Sequence, residues 1–259
     1  MKEFDYVIVG AGIAGCSLAH FLGKHSDSVL LIDRNKDVAF GASGAAGAFL
    51  SPLLGKPNLF KELITKALDF SVKYYRENFS SFLTNCGTCR IPKNQEDEEK
   101  FESYIPFMDF EYEKYEDGYL FPIGSVVNPY EICNLLAKDI QKLFNYDVIN
   151  IKKDEEFWFI NDEIKAKKLF LATGADISLI EEKYFDLRAV WGQKIDILTS
   201  TKIDVNYHKE CSISQSKQVD ENKYLVSIGA THNRFENQDM TKTSYNVKLA
   251  NINTLIHDD

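Results

Sequence analysis

Apolar residues at the start of this chain fall into a short continuous run, then a helical stripe, then a second continuous run. Phe4 to Val9 reads as a buried strand, Ile13 to Leu22 as the helix it feeds, and Val29 to Ile32 as a second strand. Farther on, Phe60, Leu63, Ile64, Ala67, Leu68, Ser71, Tyr74 and Tyr75 recur at helical spacing and predict a helix over Asn58 to Phe79, just after Pro57. From Ser80 to Tyr119 the pattern is aromatic, acidic and poorly periodic, which suits an inserted region of strands and loops. Pro129 opens a second predicted helix, Tyr130 to Phe144, with Leu135, Leu136, Ile140 and Leu143 facing one way. Tyr146 to Ile151 and Glu156 to Ile160 read as strands, the latter ending in a turn at Asn161 and Asp162. Leu169 to Ala172 is a wholly apolar run ending at Thr173, Gly174 and Ala175, as a parallel strand does when it finishes at a ligand. Alternation at Lys194 to Leu198 and at Tyr224 to Ile228 predicts antiparallel sheet between Asp186 and Gly229, and Tyr245 to Ile256 predicts a last helix.

The turn between the first strand and the first helix carries Gly10, Ala11, Gly12, Ile13, Ala14 and Gly15, and Asp33 closes the second strand 18 positions beyond Gly15. The first glycine permits a tight turn, the second lets backbone approach a pyrophosphate, and the third lets helix and sheet pack closely. The helix N-terminus adds N–H donors and partial positive charge, and an acid at the end of the second strand can accept hydrogen bonds from a ribose. A glycine triplet alone is weak evidence; set in strand, helix, strand and terminal acid, it predicts a dinucleotide site.

Composition narrows the alternatives. The 259 residues are 44% hydrophobic, enough for one large or two modest domains. The formal charge of −9 is concentrated between Gln95 and Asp117, which hold ten acids against two lysines, so it reads as one solvated patch and weakly opposes an RNA partner. Five irregularly spaced cysteines argue against a disulfide framework and suit a reducing, cytoplasmic setting. Cys86 and Cys89 form a lone CxxC, and the histidines lack ligand spacing, so no metal is expected. Val38 to Gly55 is free of charge, yet Gly41, Gly44, Gly47, Gly55, Ser51 and Pro52 deny it the bulk of a membrane span. Glu3 and Asp5 stand where a signal peptide would be basic, so a membrane is not expected as a partner.

Four stretches together resemble the FAD-dependent amine oxidoreductases of the D-amino-acid oxidase and glycine oxidase superfamily: Gly10 to Gly15 with Asp33 and Arg34; Gly41 to Leu50; Leu171 to Ala175; and Val190-Trp191-Gly192-Gln193 with Ile228-Gly229-Ala230-Thr231. The resemblance implies an α/β fold class, a Rossmann-like FAD-binding domain (1–80 and 126–182) interleaved with an antiparallel-sheet substrate domain (81–125 and 183–259). It implies FAD as cofactor, with Gly10, Gly12, Ile13 and Ala14 at the pyrophosphate, and Asp33 and Arg34 at the adenosine end. It likewise implies Ala42, Ser43, Ala46, Gly47 and Ala48 at the phosphates and flavin, Val148 as a backbone contact to adenine, and Ala172 and Gly174 as a second phosphate-side turn. Ala11 and Thr173 complete the set. Within the superfamily, Ala42-Ser43, Gly47, Pro52-Leu53-Leu54, Lys56, Cys86-Gly87 and Gly229-Ala230-Thr231 before Arg234 are similar to the oxidoreductase domains of the bacterial bifunctional enzymes that mature wobble uridine in tRNA.

The chemistry that follows from this likeness is oxidation of a glycine-like C–N bond, giving an imine that water hydrolyses. The substrate expected is 5-carboxymethylaminomethyl(-2-thio)uridine at the tRNA wobble position, which would lose its carboxymethyl group. Free glycine, sarcosine or a D-amino acid is the alternative small amine. A nicotinamide-dependent dehydrogenase and a truncated, non-catalytic flavin-fold module are the other readings. Positioning outweighs acid–base work in such a step, so no catalytic side chain is nominated; Lys56, His232, Arg234 and Tyr245 are candidates for the substrate side. Family members continue past the point where this sequence stops, with a glycine-rich turn and a carboxylate-gripping arginine, so a C-terminal segment or a methyltransferase partner is expected to complete the system.

Overall fold

The computed structural model describes residues 1–180, 182, 184 and 187–232. By their contacts these fall into two compact units: residues 1–46 with 128–189, and residues 47–127 with the described residues from 190 on. Segment 47–80 therefore packs with the second unit.

The first unit is a six-stranded sheet with Lys2–Val9 near its middle. Lys2–Val9 pairs in parallel with Val29–Ile32 on one side and Ile164–Leu171 on the other. Where such central strands are covered on both faces, their residues must be apolar. Accordingly Val7, Ile8, Leu31 and Ile32 are fully buried. Helix Ile13–Gly23 follows the first strand with Gly12 at its N-cap.

The predicted helix over 130–144 is half right. Asn128 caps a helix over Pro129–Leu136, its side chain accepting from Glu131 N–H, and the chain then turns so that Gln141–Leu143 forms an edge strand parallel to Leu30–Ile32. Leu143 packs on the sheet core, a position that satisfies a helical stripe and a short strand equally well. Of the expected strand over 146–151 only Ile151 is in a strand, which runs on as Ile151–Lys153. Asn161 explains the loss: its side-chain oxygen accepts from Ile149 and Asn150 N–H, which removes those donors from a ladder. Asn161 and Asp162 make the expected turn, both at positive φ.

The second unit holds an eight-stranded sheet and a small three-stranded one. Lys194–Thr199 and Lys223–Gly229 pair antiparallel along their length, as their alternation predicts. Helix Leu59–Asn78 starts at an Asn58 cap, where the side chain accepts from Lys61 N–H. The acidic stretch contains a helix that periodicity missed, Gln95–Tyr104. Asn94 caps it and Glu96, Asp97 and Glu98 sit in its first turn, where negative charge complements the free N–H groups. Only Phe101 is buried on it, too little for a stripe. The expected helix over 245–256 lies outside the described residues.

The core makes a direct demand on stability. Leu31→Ala, at a site with no exposure, is expected to cost about 2–5 kcal/mol, whereas Leu198→Ala, at a largely exposed strand position, is expected to cost under about 0.5 kcal/mol. Denaturant unfolding of the two variants checks this, and equal losses would contradict the assigned core.

Candidate functional site

The predicted site residues of the first unit converge at the carboxyl ends of its parallel strands. Gly10 sits at φ +108°, and a Cβ there would lie 2.3 Å from the Ala172 carbonyl oxygen. A Cβ on Gly15 would lie 1.8 Å from the Gly10 carbonyl oxygen. Backbone meets backbone at both points, so a side chain at either would push the two turns apart. Gly10 N–H donates to the Ile32 carbonyl and Ala172 N–H to the Val9 carbonyl, each at 2.8 Å, which ties all three strand ends together.

Asp33 is locked to this turn. One carboxylate oxygen accepts from Ala11 N–H at 2.7 Å, and the other from the backbone and side-chain N–H groups of Asn35 at 2.8 and 2.9 Å. Asn35 was not foreseen as its partner. A carboxylate fixed this way stands at the glycine turn with one lone pair, on the oxygen that faces Ala11, still to offer.

The small-residue stretch reaches the same place. Ala39 adopts φ 58° and donates to the Ala11 carbonyl at 2.9 Å. A Cβ on Gly44 would meet the Ala39 carbonyl oxygen at 2.0 Å, so the one-turn helix Ala42–Ala45 can lie on that turn only with glycine there. Ser43 Oγ accepts from Ile13 N–H at 2.9 Å, capping the first helix from outside it. Gly12 leaves room for that hydroxyl: a Cβ on it would lie 3.0 Å from Ser43 Oγ. The N–H groups of Gly12, Ala14 and Gly15 donate to no group among the described residues. Three free donors at a helix start, with no side chain over Gly12, form a cradle that fits a pyrophosphate.

Two further elements border the cradle. After Ala172 the chain turns through Thr173 and Gly174, at φ +68°, and Thr173 Oγ donates to the Asp176 carbonyl. Arg34 pairs with Asp176 at 2.5 Å, a contact across 142 positions that local pattern could not reveal. The Ser178 hydroxyl, and then Arg34, hold the Asp176 carboxyl far below the usual carboxylate range. Val148 is buried in the sheet core beside Val9, Leu30 and Ile32, and its N–H and C=O make no hydrogen bond among the described residues. Only its main chain is therefore available to a ligand.

Gly47 and Ala48 belong to the second unit. A Cβ on Gly47 would meet the Phe49 ring at 2.4 Å; Ala48 adopts φ 51° and its carbonyl accepts from Val127 N–H at 3.2 Å. Among the substrate-side candidates, Lys56 lines a cleft of about 420 Å³ with Leu53, Leu54, Phe60, Lys61 and Tyr104. His232 is exposed, and Arg234 and Tyr245 lie outside the described residues. Cys86 and Cys89 are free thiols. Among the described residues no group of His, Cys, Asp or Glu is placed to hold a metal, and no helix is long and apolar enough to cross a membrane.

Two expectations follow from these contacts. Ser43→Ala should lower stability by about 1 kcal/mol through loss of the helix cap, as read by thermal unfolding; an unchanged midpoint would contradict that role. His208, in the second unit, is pushed down to about 4 by burial and then by the charges of Arg90 and Lys93. Its imidazole NMR resonances should therefore titrate near pH 4, and a midpoint at 6.5 would contradict the burial.

Comparison with known proteins agrees with this geometry. The family model described as FAD dependent oxidoreductase (DAO) matches residues 5–245. The tRNA 5-methylaminomethyl-2-thiouridine biosynthesis bifunctional protein MnmC of Legionella pneumophila is 25% identical over 233 residues, 79% of this chain and 34% of that protein. The chain thus spans about a third of the length of that relative. Among solved structures, glycine oxidase from Geobacillus kaustophilus superposes with a TM-score of 0.73 at 15% identity, covering 98% of this chain and 78% of that one. L-alpha-glycerophosphate oxidase from Mycoplasma pneumoniae, solved with FAD bound, gives a TM-score of 0.73 at 17% identity, covering 98% and 78%. These likenesses share the α/β fold expected from the sequence, and the match across most of its length shows that the chain belongs to the DAO family of FAD-dependent oxidoreductases.

Proposed function

We propose that the first unit binds FAD through the glycine cradle and that the protein oxidises the C–N bond of a glycine-like secondary amine. The observation that carries this reading is the cluster of unpaired N–H groups at Gly12, Ala14 and Gly15 beside the fixed Asp33 carboxylate. In this reading the three N–H groups hold the pyrophosphate, with Ile13 held in register by Ser43. Asp33 accepts from the adenosine ribose, Arg34 borders the adenosine, and the Val148 main chain meets adenine. Ala42, Ser43, Ala46, Gly47 and Ala48 bring main chain to the flavin side, while Ala172, Thr173 and Gly174 close the phosphate side. Bound flavin supplies the acceptor for a hydride leaving the carbon next to the amine nitrogen. The chain's own contribution is to hold cofactor and amine in place and to exclude water.

The substrate proposed is the carboxymethylaminomethyl uridine of the tRNA wobble position, losing its carboxymethyl group. The support is the likeness to a protein named for tRNA 5-methylaminomethyl-2-thiouridine biosynthesis. A free amino acid is the second reading, favoured by the likeness to glycine oxidase over 98% of the chain. Anaerobic mixing of the reconstituted protein with tRNA carrying the modified uridine, or with glycine, sarcosine and D-amino acids, separates the two: the flavin should bleach with the tRNA. Bleaching only with a free amino acid would select the second reading, and bleaching with none would overturn both.

Asp33→Ala is expected to weaken FAD binding about tenfold or more, the worth of hydrogen bonds to a charged acceptor. Flavin fluorescence titration checks this, and an unchanged affinity would place the ribose elsewhere.

A further inference from the structure

The cleft of about 420 Å³ in the second unit has the volume of a small-molecule site, and its lining holds groups that the fold leaves unused. Leu53, Leu54 and Lys56 line it from a loop, Phe60 and Lys61 from the start of helix Leu59–Asn78, and Tyr104 from the end of helix Gln95–Tyr104. Phe60 is 64% exposed and Leu53 37%, although both are large and apolar. The lining is therefore open to a partner with a flat apolar surface. Asn58, also on the lining, is already spent: its side-chain oxygen caps the helix and its nitrogen donates to the Lys56 carbonyl at 3.2 Å.

The two lysines of the cleft differ. Lys61 is buried, and its ammonium is shared between the Asp109 carboxylate, at 2.7 Å, and the Phe107 carbonyl, so its charge is cancelled in place. Lys56 is exposed, and its ammonium has no hydrogen-bond or ion-pair partner among the described residues. The Tyr104 hydroxyl has none there either. One uncompensated positive charge thus stands beside aromatic and aliphatic faces. The acids of helix Gln95–Tyr104 do not cancel it. Glu96, Asp97, Glu98 and Glu99 precede Tyr104 by five to eight residues, about 8 to 12 Å along the helix axis, a separation near or beyond the screening length of physiological salt. Glu102, two residues from Tyr104, does not share its face of the helix.

We propose that this cleft binds one nucleotide of a single-stranded RNA, with the base on the Phe60 and Tyr104 rings and the phosphodiester on Lys56. An unpaired base offers a flat face that stacks on an aromatic ring whatever its sequence, and a base inside a duplex does not. A phosphodiester carries one negative charge, which the single free ammonium balances. Of the ligands that join a flat ring to one negative charge, the proposed function selects an RNA nucleotide; that choice rests on it, whereas the pairing of ring and charge in the cleft does not.

The amide resonances of Gly55 and Phe60 in a ¹⁵N-labelled full-length chain read the cleft directly. The probes are the uridine dinucleotide UpU, uridine as the base without a phosphate, and phenylacetate as a ring-bearing acid that is not a nucleotide. UpU should shift both resonances saturably, and uridine and phenylacetate should bind about threefold or more weakly than UpU, the worth of one exposed ionic contact. Phe60→Ala should weaken UpU binding about fivefold or more, the worth of one stacked base, and Lys56→Gln about threefold. Both side chains are exposed, so the two variants should keep the fold. Resonances that UpU leaves in place, uridine or phenylacetate binding as tightly as UpU, or a Phe60→Ala variant with unchanged UpU affinity each overturn the proposal. UpU binding by a protein whose flavin no tRNA bleaches would keep the nucleotide site and sink the tRNA substrate; bleaching by tRNA with no UpU shift in the cleft would do the reverse.

Discussion

The structure of the first unit depends on main chain touching main chain where its parallel strands end. The Gly10 turn lies on the Ala172 carbonyl, and Gly15 lies on the Gly10 carbonyl, at distances no Cβ could survive. Because no side chain intervenes, the start of the first helix stands open above the sheet with its N–H groups bare. The same closeness lets Asp33 reach Ala11 and lets the Ala39 turn reach back to it. The cradle is therefore a consequence of packing: where backbone fills the gap between strand and helix, polar backbone groups are what remains on the surface.

The small-residue stretch obeys the same rule at a second level. Gly44 permits the turn at Ala39 to be covered, and the covering segment places Ser43 over Gly12. Ser43 then does two things with one oxygen: it satisfies the first helical N–H and fixes the height of the segment above the glycine turn. A run that reads as merely uncharged and small in sequence is in this way a sequence of specific clearances.

What was legible in the sequence follows from range. The opening strand, helix and strand, their glycines and Asp33 lie within 33 residues, and each carries its own local signal of period, turn or terminal acid. The 95–104 helix escaped because it buries Phe101 alone; its capping asparagine followed by acids was the available sign. The 141–143 strand escaped because Ile140 and Leu143 fit a helix as well as a strand. Asp176 as partner of Arg34 escaped for a different reason: it depends on the chain folding back across 142 positions, and no spacing rule reports that. Asn35 as partner of Asp33 is the opposite case, a local turn two residues long whose sign was an acid followed two positions on by asparagine.

The central claim is that the bare N–H groups at the start of the first helix receive the pyrophosphate of FAD. Amide chemical shifts of Gly12, Ala14 and Gly15 during an FAD titration test it most directly. The account predicts that the three move together, saturate with the flavin signal, and move likewise with ADP, which carries the same pyrophosphate. Flavin that binds while these three amides stay in place would contradict it.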